Sequence, residues 1–138
     1  MRAWSSSAER GALTALAAVA LAVALHGLAR HGDCAGAFAR VQRLQPGQAV
    51  AAAAVARDVG KTCDEPRAVV IAAAFVDHAG ARGAATGLAR TIVGEAPQAY
   101  VGWLTLGRLL QTQDRAASRA ALARAHALNP RGVPAPAR

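Results

Sequence analysis

The side chains best able to do chemistry are few here and lie far apart. Cys34 and Cys63 are the only cysteines, His26, His31, His78 and His126 the only histidines, and Ser118 the one serine beyond the first ten residues. The histidines form no H-x₃-H pair of the kind that places two ligands on one helix face, so no metal site is expected. Asp77 and His78 are neighbours, and neighbours on a helix point about 100° apart, which disfavours a proton-transfer pair. Ser118 follows no G-x-S-x-G turn and Cys63 has no activating base beside it, so nucleophilic catalysis is not expected. No G-x-x-x-x-G-K-[ST] or strand-linked G-x-G-x-x-G occurs, which removes the phosphate cradle that nucleotide binding requires. The reading is of a chain without cofactor, small-molecule substrate or enzymatic activity.

The two cysteines are left as the residues with a chemical role to assign, and that role depends on the elements that hold them. The 138 residues are 54% hydrophobic and only 4% aromatic, with alanine supplying most of the apolar content. Alanine is the best helix former and is depleted from strands, which points to an all-α chain of closely approaching helices. From Cys34 onward, Cys34, Ala37, Phe38, Val41 and Leu44 recur at spacings of three and four and build one apolar stripe. Pro46-Gly47 breaks that helix, and a second runs from Gln48 to Val59 and stops at Gly60. The resulting αα-hairpin over residues 34–63 brings the start of its first helix beside the end of its second. Cys34 and Cys63 can there form a disulfide or remain two separate buried thiols.

Asp64-Glu65-Pro66 supplies helix-start chemistry, with Asp64 as the expected cap, for a helix from Arg67 to Ala79 ended by Gly80. Val69-Val70-Ile71 and Phe75-Val76 would also suit a buried strand, and the start signals decide for helix. Further helices fit Gly83 to Val93, Gln98 to Gln111, and Arg115 to Leu128 capped by Asp114. Asn129-Pro130 stops the last of these. The tail 131–138 has too little apolar content to pack and is expected to be disordered.

Ahead of the helices, Gly11 to Ala29 carries no charged residue and is near the lower length for a helix that spans a bilayer. Arg2 and Arg10 precede it, which places residues 1–10 in the cytoplasm and the rest of the chain, after one transmembrane or signal-anchor helix at 11–29, outside. Ala35-Gly36-Ala37 could serve a signal peptidase, and a cleaved, secreted form is the alternative. Such cleavage would discard Cys34 and leave Cys63 unpaired, which favours retention of the anchor. His31-Gly32-Asp33 before Cys34 lacks the small and aliphatic residues that precede a lipidated cysteine. The formal charge of +8 raises nucleic-acid binding as a reading, but the basic residues are spaced singly from Arg2 to Arg138 with few aromatics between them. Nucleic acid is therefore not the expected partner.

Pro66, Pro97 and Pro130 recur at intervals of 31 and 33, a period that marks stacked supersecondary units. In the last unit, Trp103, Leu106, Gly107 and Leu110 follow the pattern W-x₂-L-G-x₂-Y with Leu110 in the aromatic place, and Ala125, Leu128 and Pro130 match its closing helix. This resembles the tetratricopeptide repeat family. The departures are an inter-helix turn one residue short, Ser118 where the family favours alanine, and Leu122 in an aromatic position. Residues 64–97 are similar through Gly80, Ala85 and Pro97, with Val69, Ala72, Ala73 and Val76 on the first helix. Residues 34–63 match through Phe38, Val41 and Ala54, with Pro66 closing the unit, as a degenerate or capping repeat.

The resemblance implies a short solenoid of antiparallel αα-hairpins behind the anchor, a protein–protein interaction module without a cofactor. It implies a groove lined by Arg43, Arg67, Val70, Asp77, Val101, Leu104, Arg108 and Gln111, suited to an extended protein or peptide segment. An accessory subunit or assembly factor of an envelope complex, and an electrostatic binder of anionic envelope polymer or lipid, are the alternatives.

Overall fold

The computed structural model describes the backbone of residues 6–135, and side chains over 15–28 and 32–135. Residues 1–5 and 136–138, the ends of the two expected tails, lie outside the described residues. Among the described residues the chain is all-helical: α1 Ser6–Val41, α2 Ala49–Thr62, α3 Pro66–His78, α4 Arg82–Glu95, α5 Tyr100–Leu110 and α6 Arg115–Leu128.

The apolar segment and the first hairpin helix, read from sequence as separate elements, are one helix. α1 runs through Arg30-His31-Gly32-Asp33 without interruption. A glycine and an aspartate inside a helix cost only about 1 kcal/mol or less each relative to alanine, too little to stop a helix whose next two turns are packed. That packing begins at Ala37 and Val41, both 0% exposed, where α1 meets α2 and α3. Arg40 adds an ion pair to Asp58 of α2 at 3.0 Å. Both side chains of that pair are half-exposed, so its contribution is small.

Several boundaries differ from expectation for local reasons. Gly60 lies inside α2, which continues to Thr62. Glu65, and not Asp64, caps α3, its carboxylate accepting from the Ala68 amide at 2.6 Å, because Pro66 at the first helical position makes the residue before it the cap. Asp114 does cap α6, accepting from the Ala117 amide at 2.9 Å. Gly80, at φ +95°, ends α3: the Ala81 amide reaches back to the Val76 carbonyl at 3.0 Å, closing the six-residue ring that a left-handed glycine permits.

The tail also departs from expectation as far as Val133. The Gly132 amide donates to the Asn129 side chain at 3.0 Å and the Val133 amide to the Asn129 carbonyl at 3.0 Å. Val133 is 2% exposed, and its carbonyl lies 2.6 Å from the His126 ring Nδ1. One valine and a turn closed on Asn129 suffice where overall composition gave no sign of packing.

α3 adjoins α1, α2, α4 and α5, whereas α6 adjoins α5 alone. The core is built mostly from alanine and valine, including Ala52, Ala56, Val59, Ala72, Ala73, Val76, Ala85 and Ala89. Small side chains bring helix axes close but remove less apolar surface from water than leucine or phenylalanine would. A domain of this size with such a core gains from a covalent staple. Cys34 and Cys63 provide one: they are disulfide-bonded, with their Cα atoms 4.9 Å apart.

Candidate docking site

Two helix faces carry most of the residues expected to line a groove. On α3 the positions are Arg67, Val70 and Asp77; on α5, which spans Tyr100–Leu110 and not the expected 98–111, they are Val101, Leu104 and Arg108, with Gln111 as the residue that ends the helix. Spacings of three, four and seven put each set on one side of its helix. The two sets keep a common register 34 residues apart, Arg67 corresponding to Val101, Val70 to Leu104 and Asp77 to Gln111. α3 and α5 adjoin, so the two stripes belong to neighbouring helices. Arg67, Arg108 and Gln111 are exposed, and Val70, Val101 and Leu104 half-buried. Arg43 lies beyond the end of α1, in the turn where its amide donates to the Arg40 carbonyl. It is an exposed turn residue and not part of a helix face.

Asp77 is already engaged. Arg82 donates to its carboxylate through Nε at 2.7 Å and Nη2 at 3.2 Å, and the same guanidinium donates through Nη1 to the Thr112 hydroxyl at 3.0 Å. The hydrogen bond and then the charge of Asp77 hold the Arg82 pKa above its ordinary value. This bidentate pair ties the α3–α4 turn to the residues after α5. Asp77 is therefore committed within the fold, and the free charges of the α3 and α5 faces are Arg67 and Arg108.

The residues of the W-x₂-L-G pattern act in packing. Leu106, Gly107, Leu110 and Ala125 are buried, and Leu128 is half-buried. Trp103 is half-buried with its indole Nε1 donating to the Pro97 carbonyl at 2.9 Å, so the ring is fixed to the turn before α5. Pro130 is exposed and opens the turn after α6.

Ser118, which as a sequence departs from the expected alanine, has a specific partner. Its hydroxyl donates to the Gly107 carbonyl at 2.7 Å, and Ser118 is 3% exposed. Gly107 lies in the last turn of α5, where carbonyls lack intrahelical donors, and the Gln111 amide donates to Arg108 instead. Ser118→Ala is expected to cost about 1–2 kcal/mol by leaving that buried carbonyl unpaired, read as a lower denaturation midpoint with unchanged helicity.

A second concavity of about 280 Å³ lies between α2 and α4, walled by Ala53, Ala56, Gly60, Ala84, Gly87 and Leu88, with Arg57 and Thr91 as its polar groups. The Thr91 hydroxyl is spent on the Gly87 carbonyl at 3.2 Å. Few polar groups converge here, unlike a site that orients a small ligand. Among the described residues no group of three or more His, Cys, Asp or Glu is placed to hold a metal ion. Compared with protein-family models, with curated proteins and with solved structures, the chain has no match.

Proposed function

We propose that this chain is a membrane-tethered docking module of stacked helical hairpins of tetratricopeptide type, lying outside the cytoplasmic membrane and receiving an extended segment of a protein partner on its α3 and α5 faces. The observation that carries this reading is the division of labour along α1. Its N-terminal part is apolar on every side, with Leu16, Val19, Leu21, Val23, Leu25 and Leu28 all more than half exposed, whereas Ala37 and Val41 of the same helix have no exposure. A helix that is apolar all round has its stable environment in a bilayer or a protein interior. At 1.5 Å per residue, residues 11–29 cover about 28 Å, close to the hydrocarbon thickness of roughly 30 Å. Arg2 and Arg10 ahead of that segment support an external domain, and the Cys34–Cys63 disulfide supports an oxidising compartment.

On this reading Arg67 and Arg108 pair with carboxylates of the partner while Val70, Val101 and Leu104 contact its apolar side chains. A photoreactive residue in place of Leu104 is expected to crosslink a protein partner in intact cells. Combining it with Arg67→Ala and Arg108→Ala should reduce the crosslink about tenfold, with helicity unchanged, as expected on losing two charge-assisted contacts. A crosslink indifferent to both arginines removes this surface as the docking site. Loss of binding with salt alone, without sequence selectivity, would instead favour attachment to an anionic polymer.

The accessory-subunit reading has one observation of its own. Gly83, Gly87 and Gly94 fall on one exposed side of α4, and a Cβ at any of them would meet nothing within 4 Å. Neither backbone conformation nor internal packing asks for glycine there, yet each costs about 1 kcal/mol in a helix.

A further inference from the structure

Residues 115–138 have no acidic side chain: they hold Arg115, Arg119, Arg124, Arg131 and Arg138 and no Asp or Glu. Asp114, immediately before, has a carboxylate oxygen committed to capping the helix. The two ion pairs among the described residues, Arg40–Asp58 and Arg82–Asp77, leave every arginine of α6 without an acidic partner.

α6 packs against α5 and no other helix. Ser118, Ala121 and Ala125 are its buried residues, and Arg115, Ala116, Arg119, Ala120, Ala123, Arg124 and Ala127 are exposed. Advancing about 100° per residue places Ala116, Ala120, Ala123 and Ala127 within roughly 60° of arc on the side opposite the buried residues. Arg119 borders this strip on one side and Arg124 on the other. The exposed side of α6 is thus a flat lane flanked by uncompensated positive charge, from Arg115 and Arg119 on one side and Arg124 on the other.

We infer that this face of α6 docks an acidic helix of a protein partner. Charge decides the sign of the occupant, because an anionic surface, which on a protein means one rich in Asp or Glu, relieves the repulsion among Arg115, Arg119 and Arg124. It also argues against a second copy of this chain, since pairing α6 with itself would set Arg119 and Arg124 against their own kind. The flat lane decides the shape. Four alanines let another helix approach closely, with acidic side chains on its flanks reaching Arg119 and Arg124. A helix lying in a lipid surface would instead need large apolar residues between its basic rows, and here there are none. The surface is separate from the α3 and α5 faces, and the inference does not depend on how those are used.

The test uses the full chain in phosphatidylcholine nanodiscs and a labelled synthetic helix of about three heptads, with alanine and leucine along its seam and glutamate on both flanks. Its twin carries lysine for glutamate. The glutamate helix is expected to bind and the lysine helix not. Arg119→Glu with Arg124→Glu should lower binding of the glutamate helix at least tenfold and admit the lysine helix, and Ala120→Trp should weaken binding by blocking close approach. Binding of neither helix at about 100 µM, equal binding of both, or indifference to Ala120→Trp would overturn the inference. So would arginine-dependent binding to phosphatidylglycerol vesicles that Ala120→Trp leaves unchanged, which assigns the face to lipid.

Discussion

Replacing Cys34 and Cys63 together by alanine is expected to lower the unfolding free energy by about 3–4 kcal/mol. The two residues are 29 apart in sequence, and the bond between them closes a loop that contains the whole of the α1–α2 turn and α2. Cutting that loop restores entropy to the unfolded chain, and the alanine-rich interface between α1 and α2 has little surplus apolar burial with which to offset it. Full-length protein in detergent should unfold more than about 10 °C lower as the double variant, and unmodified protein should follow it when a reductant is added. A shift that appears in the variant but not on reduction would mean that alanine disturbs packing at Cys63, which is 7% exposed, and not that the cross-link stabilises the fold. On the membrane-tethered reading proposed above, the bond also joins the end of α2 to α1 only five residues beyond Ala29, so losing it should loosen the domain first on the side facing the tether.

Helix identity was legible in this sequence because alanine content, proline and glycine punctuation, and three-four spacing all agree, as at Pro46-Gly47, Gly80 and Asp114. Boundaries were less so. The change from an uncharged segment ending at Ala29 to an apolar stripe beginning at Cys34 suggests two elements, but a helix already begun needs only a packed continuation, and Ala37 and Val41 give it one. The tail to Val133 escaped notice for a related reason: one buried valine, held by backbone bonds to Asn129, is invisible to composition. At the candidate docking faces, the tetratricopeptide resemblance implied Arg67, Val70, Leu104 and Arg108, which lie on α3 and α5. It could not show that Asp77 is taken by Arg82, because that pair forms across a turn and depends on Gly80 reversing the chain. Ser118 is the clearest case. Judged by repeat consensus it is a defect, and judged by the backbone it is the donor that a terminal carbonyl of α5 requires.

The same substitution made at two glycines is expected to have opposite signs, which separates helix propensity from helix packing. A Cβ on Gly107 would stand 2.7 Å from Cγ and 2.8 Å from Cδ2 of Leu122, and 3.2 Å from the Leu122 backbone nitrogen. The side chain can rotate away in part, but the backbone nitrogen belongs to α6, so α5 and α6 must move apart. That movement would lengthen the Ser118–Gly107 hydrogen bond, which stands at 2.7 Å. Overpacking of this kind costs about 1–3 kcal/mol, and the better helix propensity of alanine returns up to about 1 kcal/mol. A net loss of about 1–2 kcal/mol is expected for Gly107→Ala. Gly87 occupies the same kind of helical backbone with open space around its missing Cβ. There only the propensity term acts, and Gly87→Ala should gain up to about 1 kcal/mol. Denaturant unfolding of both variants in the full chain measures the gap, in which the propensity gain cancels and the overpacking cost of about 1–3 kcal/mol remains. If both substitutions stabilise, α5 and α6 have room to separate, and the close approach at Gly107 is not what holds the last hairpin together. If both destabilise, the concavity between α2 and α4 that Gly87 lines closes in solution, and glycine is kept there for the approach of those two helices.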